Sequence, residues 1–147
     1  SVQWPVGVGG KGNSGVAGVI KNTEGAIGYL NYGYVNGGKF QQVALQNKAG
    51  NFVKANSETS AAGLAKIVLD DKLRGADPNP AGANAYPIVS LTWILAYPES
   101  KTGVKETLHY MLSEKAQSVS DSLGYVPLPE SLRQKSLAAV DTIETLN

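Results

Sequence analysis

Hydrophobic positions along this chain switch between two periods, and the switches mark out its elements. Ser1 to Val8 reads as a strand interrupted by Pro5, so the chain opens inside an element, as a continuation would. Gly7 to Asn13 is glycine-rich. Val16, Val19 and Ile20 then share one face of a short helix, which Asn13 or Ser14 can cap and Asn22 to Gly25 stops. Ala26 to Val35 (AIGYLNYGYV) alternates apolar and polar with aromatics, as strands do, and Asn36-Gly37-Gly38 makes a turn. Phe40 to Gln46 and Asn51 to Lys54 flank Lys48-Ala49-Gly50 as a hairpin, with two loop segments as the plainer alternative. Ser57 to Leu73 has the period of an amphipathic helix with Leu64, Ile67 and Val68 inward.

The Pro/Gly/Asn loop from Gly75 to Ala85, which contains ADPNPAGANA, is long enough to carry the chain from one domain to another. Tyr86 to Tyr97 (YPIVSLTWILAY) is the most apolar stretch and suits a buried strand ended by Pro98. Lys101 to Leu123 reads as one long helix, with Val104, Leu108, Met111, Leu112, Val119 and Leu123 at helical spacing. Gly124 stands where a left-handed residue closes a helix. Pro129 starts a last helix with Leu132, Val140 and Ile143 facing in. Strand and helix alternate, so the class is α/β.

Composition narrows the function classes. The 147 residues are 42% hydrophobic and 17% charged, enough for a packed core and too apolar for disorder. There is no cysteine, hence no disulfide, thiolate zinc site or cysteine nucleophile. A net charge of +1 argues against a nucleic-acid binder working by counterion release. No apolar run is long enough to span a bilayer, and no leader pattern opens the chain, which is then cytosolic or a mature form.

Candidate chemistry is sparse. Gly7, Gly9 and Gly12 match G-x-G-x-x-G, but Pro5 spoils the preceding strand and Ile27 to Tyr34 carries no acid for a ribose. Lys11 is followed by Gly12, so no hydroxyl is placed for magnesium as in a Walker loop. What remains is a set of backbone N–H groups at a helix start, able to meet a small anion, or simply a tight glycine corner. His109 is the single histidine and has no paired carboxylate motif, which suits a boundary residue better than a base. Asp70-Asp71, at the end of the expected helix and followed by Lys72 and Arg74, reads as a solvated face rather than a metal pair. Met111 reads as core filler, and Trp4 and Trp93 as core or lobe-boundary aromatics. Ser90 and Thr92 either point hydroxyls into a cleft or bond to neighbouring backbone.

Three segments carry a resemblance. Trp4 to Val35 (WPVGVGGKGNSGVAGVIKNTEGAIGYLNYGYV) is similar to the W-P-x-G-x-G-G-K-G-N-x-G-V-A…T-x-G-A-I-G-Y segment of periplasmic phosphate-binding proteins of the phosphate ABC transporter. Tyr86 to Glu99 resembles that family's return strand, and Leu123 to Leu132 its L-G-Y-x-x-L-P signature. The resemblance covers essentially this whole chain but only the C-terminal portion of a family member. It implies a type II periplasmic-binding-protein-like two-lobed fold, here incomplete, with residues 1–83 the remainder of the second lobe and 84–147 the remainder of the first. The chain would cross between lobes at a hinge near Gly82 to Pro87.

The implied function is binding inorganic phosphate and delivering it to ABC permease subunits, in the periplasm or at the outer cell surface, with no catalysis, cofactor or metal. The alternative is an extracellular phosphate-binding regulatory relative without a permease. The family's R-x-x-x-S-G-T anion ligands are missing here, since Arg74 and Arg133 are the only arginines and neither precedes Ser-Gly-Thr. The implied partner is therefore the N-terminal half of the same receptor, and Gly12, Asn13 and Ser14 are the candidate ligand-binding residues at the cleft edge.

Overall fold

A computed structural model describes residues 3–36 and 40–146. It divides into two compact units, Ser1–Gln41 and Gln42–Asn147. The expected Ser1 to Val8 strand and the Asn36-Gly37-Gly38 turn lie partly outside the described residues.

In the first unit, helix α1 spans Gly12–Asn22 and a one-turn helix α2 spans Tyr32–Val35. The α1 entry follows the glycine loop as read, but neither expected cap serves. Lys11 is the N-cap and makes no side-chain cap bond. Asn13 Oδ1 instead accepts from the Asn31 backbone N–H at 3.0 Å. A Cβ added at Gly28 would stand 2.8 Å from Ile20 Cδ1, so the end of that side chain would have to shift. The expected strands at Gln3 to Val8 and Ala26 to Val35 are not formed. A strand exists only through a neighbour's hydrogen bonds, and no described segment pairs with either stretch. Their side chains Trp4, Val6, Val8, Ile27 and Tyr29 are accordingly exposed.

The second unit opens with the expected hairpin, β1 (Leu45–Gln46) antiparallel to β2 (Phe52–Val53), reduced to two paired positions. Helix α3 spans Ser57–Leu64 and begins with a capping box: Asn56 accepts from the Thr59 N–H, and the Thr59 hydroxyl accepts from the Asn56 N–H. The helix read through Leu73 stops here. Ile67 and Val68 are β-branched, and Asp70 Oδ1 draws the N–H groups of Lys72 and Arg74 into a turn. Leu64 and Ile67 are buried as read, but Val68 is exposed.

Tyr86 to Tyr97 is likewise no buried strand. It runs without ladder partners among the described residues and exposes Ile88, Ile94, Leu95 and Tyr97. Strand β3 (Glu99–Lys101) follows and pairs in parallel with β4 (Glu144–Leu146). The expected Lys101 to Leu123 helix is broken into α4 (Val104–Met111), α5 (Glu114–Gln117) and a 3-10 turn at Asp121–Leu123. Ser113 makes the break: its hydroxyl donates to the Tyr110 carbonyl and accepts from the Ala116 N–H, ending one helix and capping the next. Gly124 takes the left-handed conformation as expected, at φ 81°. Pro129 is the N-cap of α6 (Glu130–Asp141), so the helix begins one residue later than read.

The core is small. Leu64, Ile67, Leu69 and Leu132 form it, flanked by Leu73, Val89, Leu91 and Val126. The described residues are thus mixed helix and strand, with two small two-stranded sheets among them. Among the described residues no helix is long and apolar enough to cross a membrane.

Candidate anion-contacting loop

The candidate loop runs through Gly7 and Gly12, both at positive φ (110° and 65°), into the first turn of α1. Side chains at these two positions would be strained. At Gly10 a Cβ would run into the backbone of Val16, so the loop folds closely over its own helix. The first intrahelical bond is the Gly15 N–H to the Lys11 carbonyl at 3.2 Å. The first-turn amides of Gly12, Asn13 and Ser14 have no partner within the helix. These three residues are exposed, and no acid stands in the first turn. The predicted trio thus lies together at one helix start, where amide dipoles favour an anion. Asn13 is tied through its side chain to Asn31.

The loop has no buried charge to hold an oxyanion by itself, and both arginines are engaged elsewhere. Arg74 is paired with Asp70, Nη2 to Oδ2 at 2.8 Å and Nε to Oδ2 at 2.9 Å. Arg133 forks onto Glu130 at 2.8 Å and donates Nη1 to the Leu112 carbonyl. These bonds hold the Asp70 and Glu130 carboxyls below their ordinary values and push the Arg133 guanidinium up. His109 Nε2 stands 3.0 Å from Asp141 Oδ1, a pairing the sequence did not reveal. A shallow groove lined by Tyr97, Pro98, Glu99 and Leu146 offers a carboxylate and no cation, the wrong sign for an anion. Among the described residues no cluster could hold a metal ion.

Several sequence readings are corrected. Asp70 does not end a helix but organises a turn, since α3 finishes at Leu64. Met111 and Trp4 are exposed rather than packed in a core. Trp93 is half-exposed, and its indole N–H donates to the Leu73 carbonyl at 2.8 Å. Ser90 and Thr92 are exposed.

Sequence reasoning missed Asn47, a buried amide in the hairpin turn. Its Nδ2 reaches the carbonyls of Gly82, Ala83 and Ala85 at 3.2, 2.9 and 3.2 Å. The available signal was a pair of asparagines, Asn47 and Asn51, bracketing a three-residue turn.

No protein-family model matches the chain. It is 38% identical over 141 residues to the phosphate-binding protein PstS of Xylella fastidiosa strain Temecula1, an alignment taking in 90% of this chain and 38% of that protein. It is 32% identical over 172 residues to the phosphate-binding protein PstS of Methanocaldococcus jannaschii, covering 98% of this chain and 43% of the relative. For the Haemophilus influenzae phosphate-binding protein PstS the figures are 31% over 135 residues, 88% and 40%. The chain therefore spans about two fifths of the length of the curated relatives it matches.

Proposed function

We propose, from the premise that this chain is PstS-like, that it forms part of a solute receptor which binds inorganic phosphate and hands it to the permease subunits of an ABC importer. The observation that carries this reading is the 38% identity to a phosphate-binding protein across 90% of the chain. The receptor makes and breaks no bond in its ligand. It works in the periplasm or at the outer cell surface, and the remainder of the receptor supplies the principal anion ligands.

The exposed extended segments support that reading. Trp4 to Val8, Ile27 to Tyr29 and Ile88 to Tyr97 have strand composition, leave large apolar side chains in water and have no ladder partners among the described residues. Apolar surface of this extent is buried in a stable protein. In the two-lobed reading they pair with strands of the upstream half. Residues 1–83 then complete the second lobe, 84–147 complete the first, and Gly12, Asn13 and Ser14 border the cleft.

Backbone amides suit this task. They meet a dianion without bringing counter-charge and hold fixed geometry, and closure excludes competing water. The test is a calorimetric titration of the full natural polypeptide with inorganic phosphate and, separately, sulfate. Micromolar phosphate binding with no hydrolysis of a phosphate ester is the expected result. Absence of phosphate binding, or turnover of the ester, overturns the reading.

A further inference from the structure

We propose that strand β4 is a latched strap: it opens from β3 as a unit of its own, ahead of global unfolding, and Lys105 on α4 is the latch that sets how often it does so. The geometry of these residues carries this apart from the receptor reading.

Lys105 Nζ donates to the Asp141 carbonyl at 2.7 Å and to the Ile143 carbonyl at 3.2 Å. Asp141 ends α6, and Ile143 immediately precedes β4. One ammonium thus closes the α6 C-terminus, where carbonyls lack intrahelical partners, and fixes the direction in which the chain leaves for β4. One turn further along α4, His109 Nε2 stands 3.0 Å from Asp141 Oδ1. Helix α4 packs against both α6 and β3, so it is placed to hold the two together. The strand itself begins with the Glu144 N–H on the Pro98 carbonyl at 2.8 Å.

Little else holds β4. All three of its residues are exposed, and among the described residues β3 is its one strand neighbour. A lone pair of strands is marginal in water, and a parallel ladder is weaker per residue than an antiparallel one. The register sets Glu144 directly opposite Glu99, with both exposed. None of the ion pairs among the described residues involves either carboxylate. Like charges so placed push the strands apart. Against this stand the charge-assisted bonds of Lys105, part-buried and so less screened than a surface ion pair. Opening carries Leu146 away from Tyr97 and Pro98, with which it lines the shallow groove, and bares the β3 edge.

The experiment is amide hydrogen exchange of the full natural polypeptide in rising, sub-denaturing urea. The Glu144 amide reads the strap. The Ile67 amide, bonded to the Leu64 carbonyl in the core, reads global unfolding. Glu144 is expected to exchange faster than Ile67 and to respond little to urea, since opening a short strand exposes little surface. Lys105→Met is expected to speed exchange at Glu144 about tenfold and to leave Ile67 alone. Glu99→Gln removes the facing charge without altering residue 144, and is expected to slow Glu144 about twofold. Should Lys105→Met not fold, Glu99→Gln decides: unchanged or faster exchange at Glu144 overturns the strap. An equal response of Glu144 and Ile67 to urea overturns it too, as does a Lys105→Met variant that leaves Glu144 at the wild-type rate or shifts both amides together.

Discussion

The Trp93 indole N–H donates to the Leu73 carbonyl at 2.8 Å across 20 residues of chain, and Leu73 is the one non-glycine residue at positive φ, 58°, among those described. A leucine in that conformation is disfavoured by roughly 1–2 kcal/mol. It is held there by the Asp70 turn on one side and the indole on the other. Trp93→Phe keeps the ring and deletes the donor. The expected loss is about 0.5–1 kcal/mol, because water reaches this half-exposed site and partly replaces the bond. Urea unfolding followed by circular dichroism measures it.

The small core concentrates its stability in few side chains. Leu64→Ala or Leu132→Ala should each cost about 2–5 kcal/mol, enough to unfold a marginal domain. Val68→Ala should change stability by less than about 0.5 kcal/mol, since Val68 is exposed despite its place in the helical pattern. Equal losses at positions 64 and 68 would mean that the helix runs on to Leu73.

Two glycines should respond with opposite signs. Gly63→Ala puts a Cβ 2.8 Å from the Tyr86 carbonyl oxygen, a backbone atom that cannot swing aside, and is expected to destabilise by about 1–3 kcal/mol. Gly18→Ala, inside α1 with nothing within 4 Å, should raise helix stability by up to about 1 kcal/mol. Circular-dichroism melts of both variants check the pair.

The response to acid follows from two carboxylates. Hydrogen bonds from Arg133 and Gln134 hold Glu130 below its ordinary 4.5, and those from Arg74 hold Asp70 below its ordinary 3.8. In each case the folded state binds the proton less readily than the unfolded chain. Their stabilising contribution is therefore complete above the unfolded values and is lost as pH falls through the lower folded ones. Melting temperature should decline below about pH 4.5, and Glu130→Gln should flatten that decline while leaving Asp70's share. A Glu130→Gln variant with the same acid profile as wild type would remove the linkage.

Phosphate binding by these 147 residues alone should be no tighter than millimolar. The α1 start supplies only exposed amides, and both arginines are committed to carboxylates. The exposed apolar segments should also make the isolated chain self-associate. Calorimetry and analytical ultracentrifugation test the two statements. Micromolar binding by a monodisperse 15.4 kDa species would contradict both.

Elements governed by local chemistry were legible. The hairpin, the α1 glycine entry, left-handed Gly124 and the Pro129 helix start follow from turn, cap and backbone preferences within a few residues. Cooperative extent was not legible. The long helices were read from period alone, and Ser113 and the Asp70 turn cut them by offering the backbone competing partners. The position of Gly12 to Ser14 at a helix start could be read in advance, whereas the Asn47 hydrogen bonds depend on carbonyls more than thirty positions away.

The amino-acid order alone determined the glycine-rich helix start, the apolar character of Tyr86 to Tyr97 and the likeness to phosphate-binding proteins, because composition and motif spacing are local properties. Tertiary structure decided which of those segments found partners. Strand chemistry at Ile88 to Tyr97 is satisfied only by another strand's N–H and C=O groups, and a buried amide such as Asn47 acquires its role only when a distant loop is folded against it.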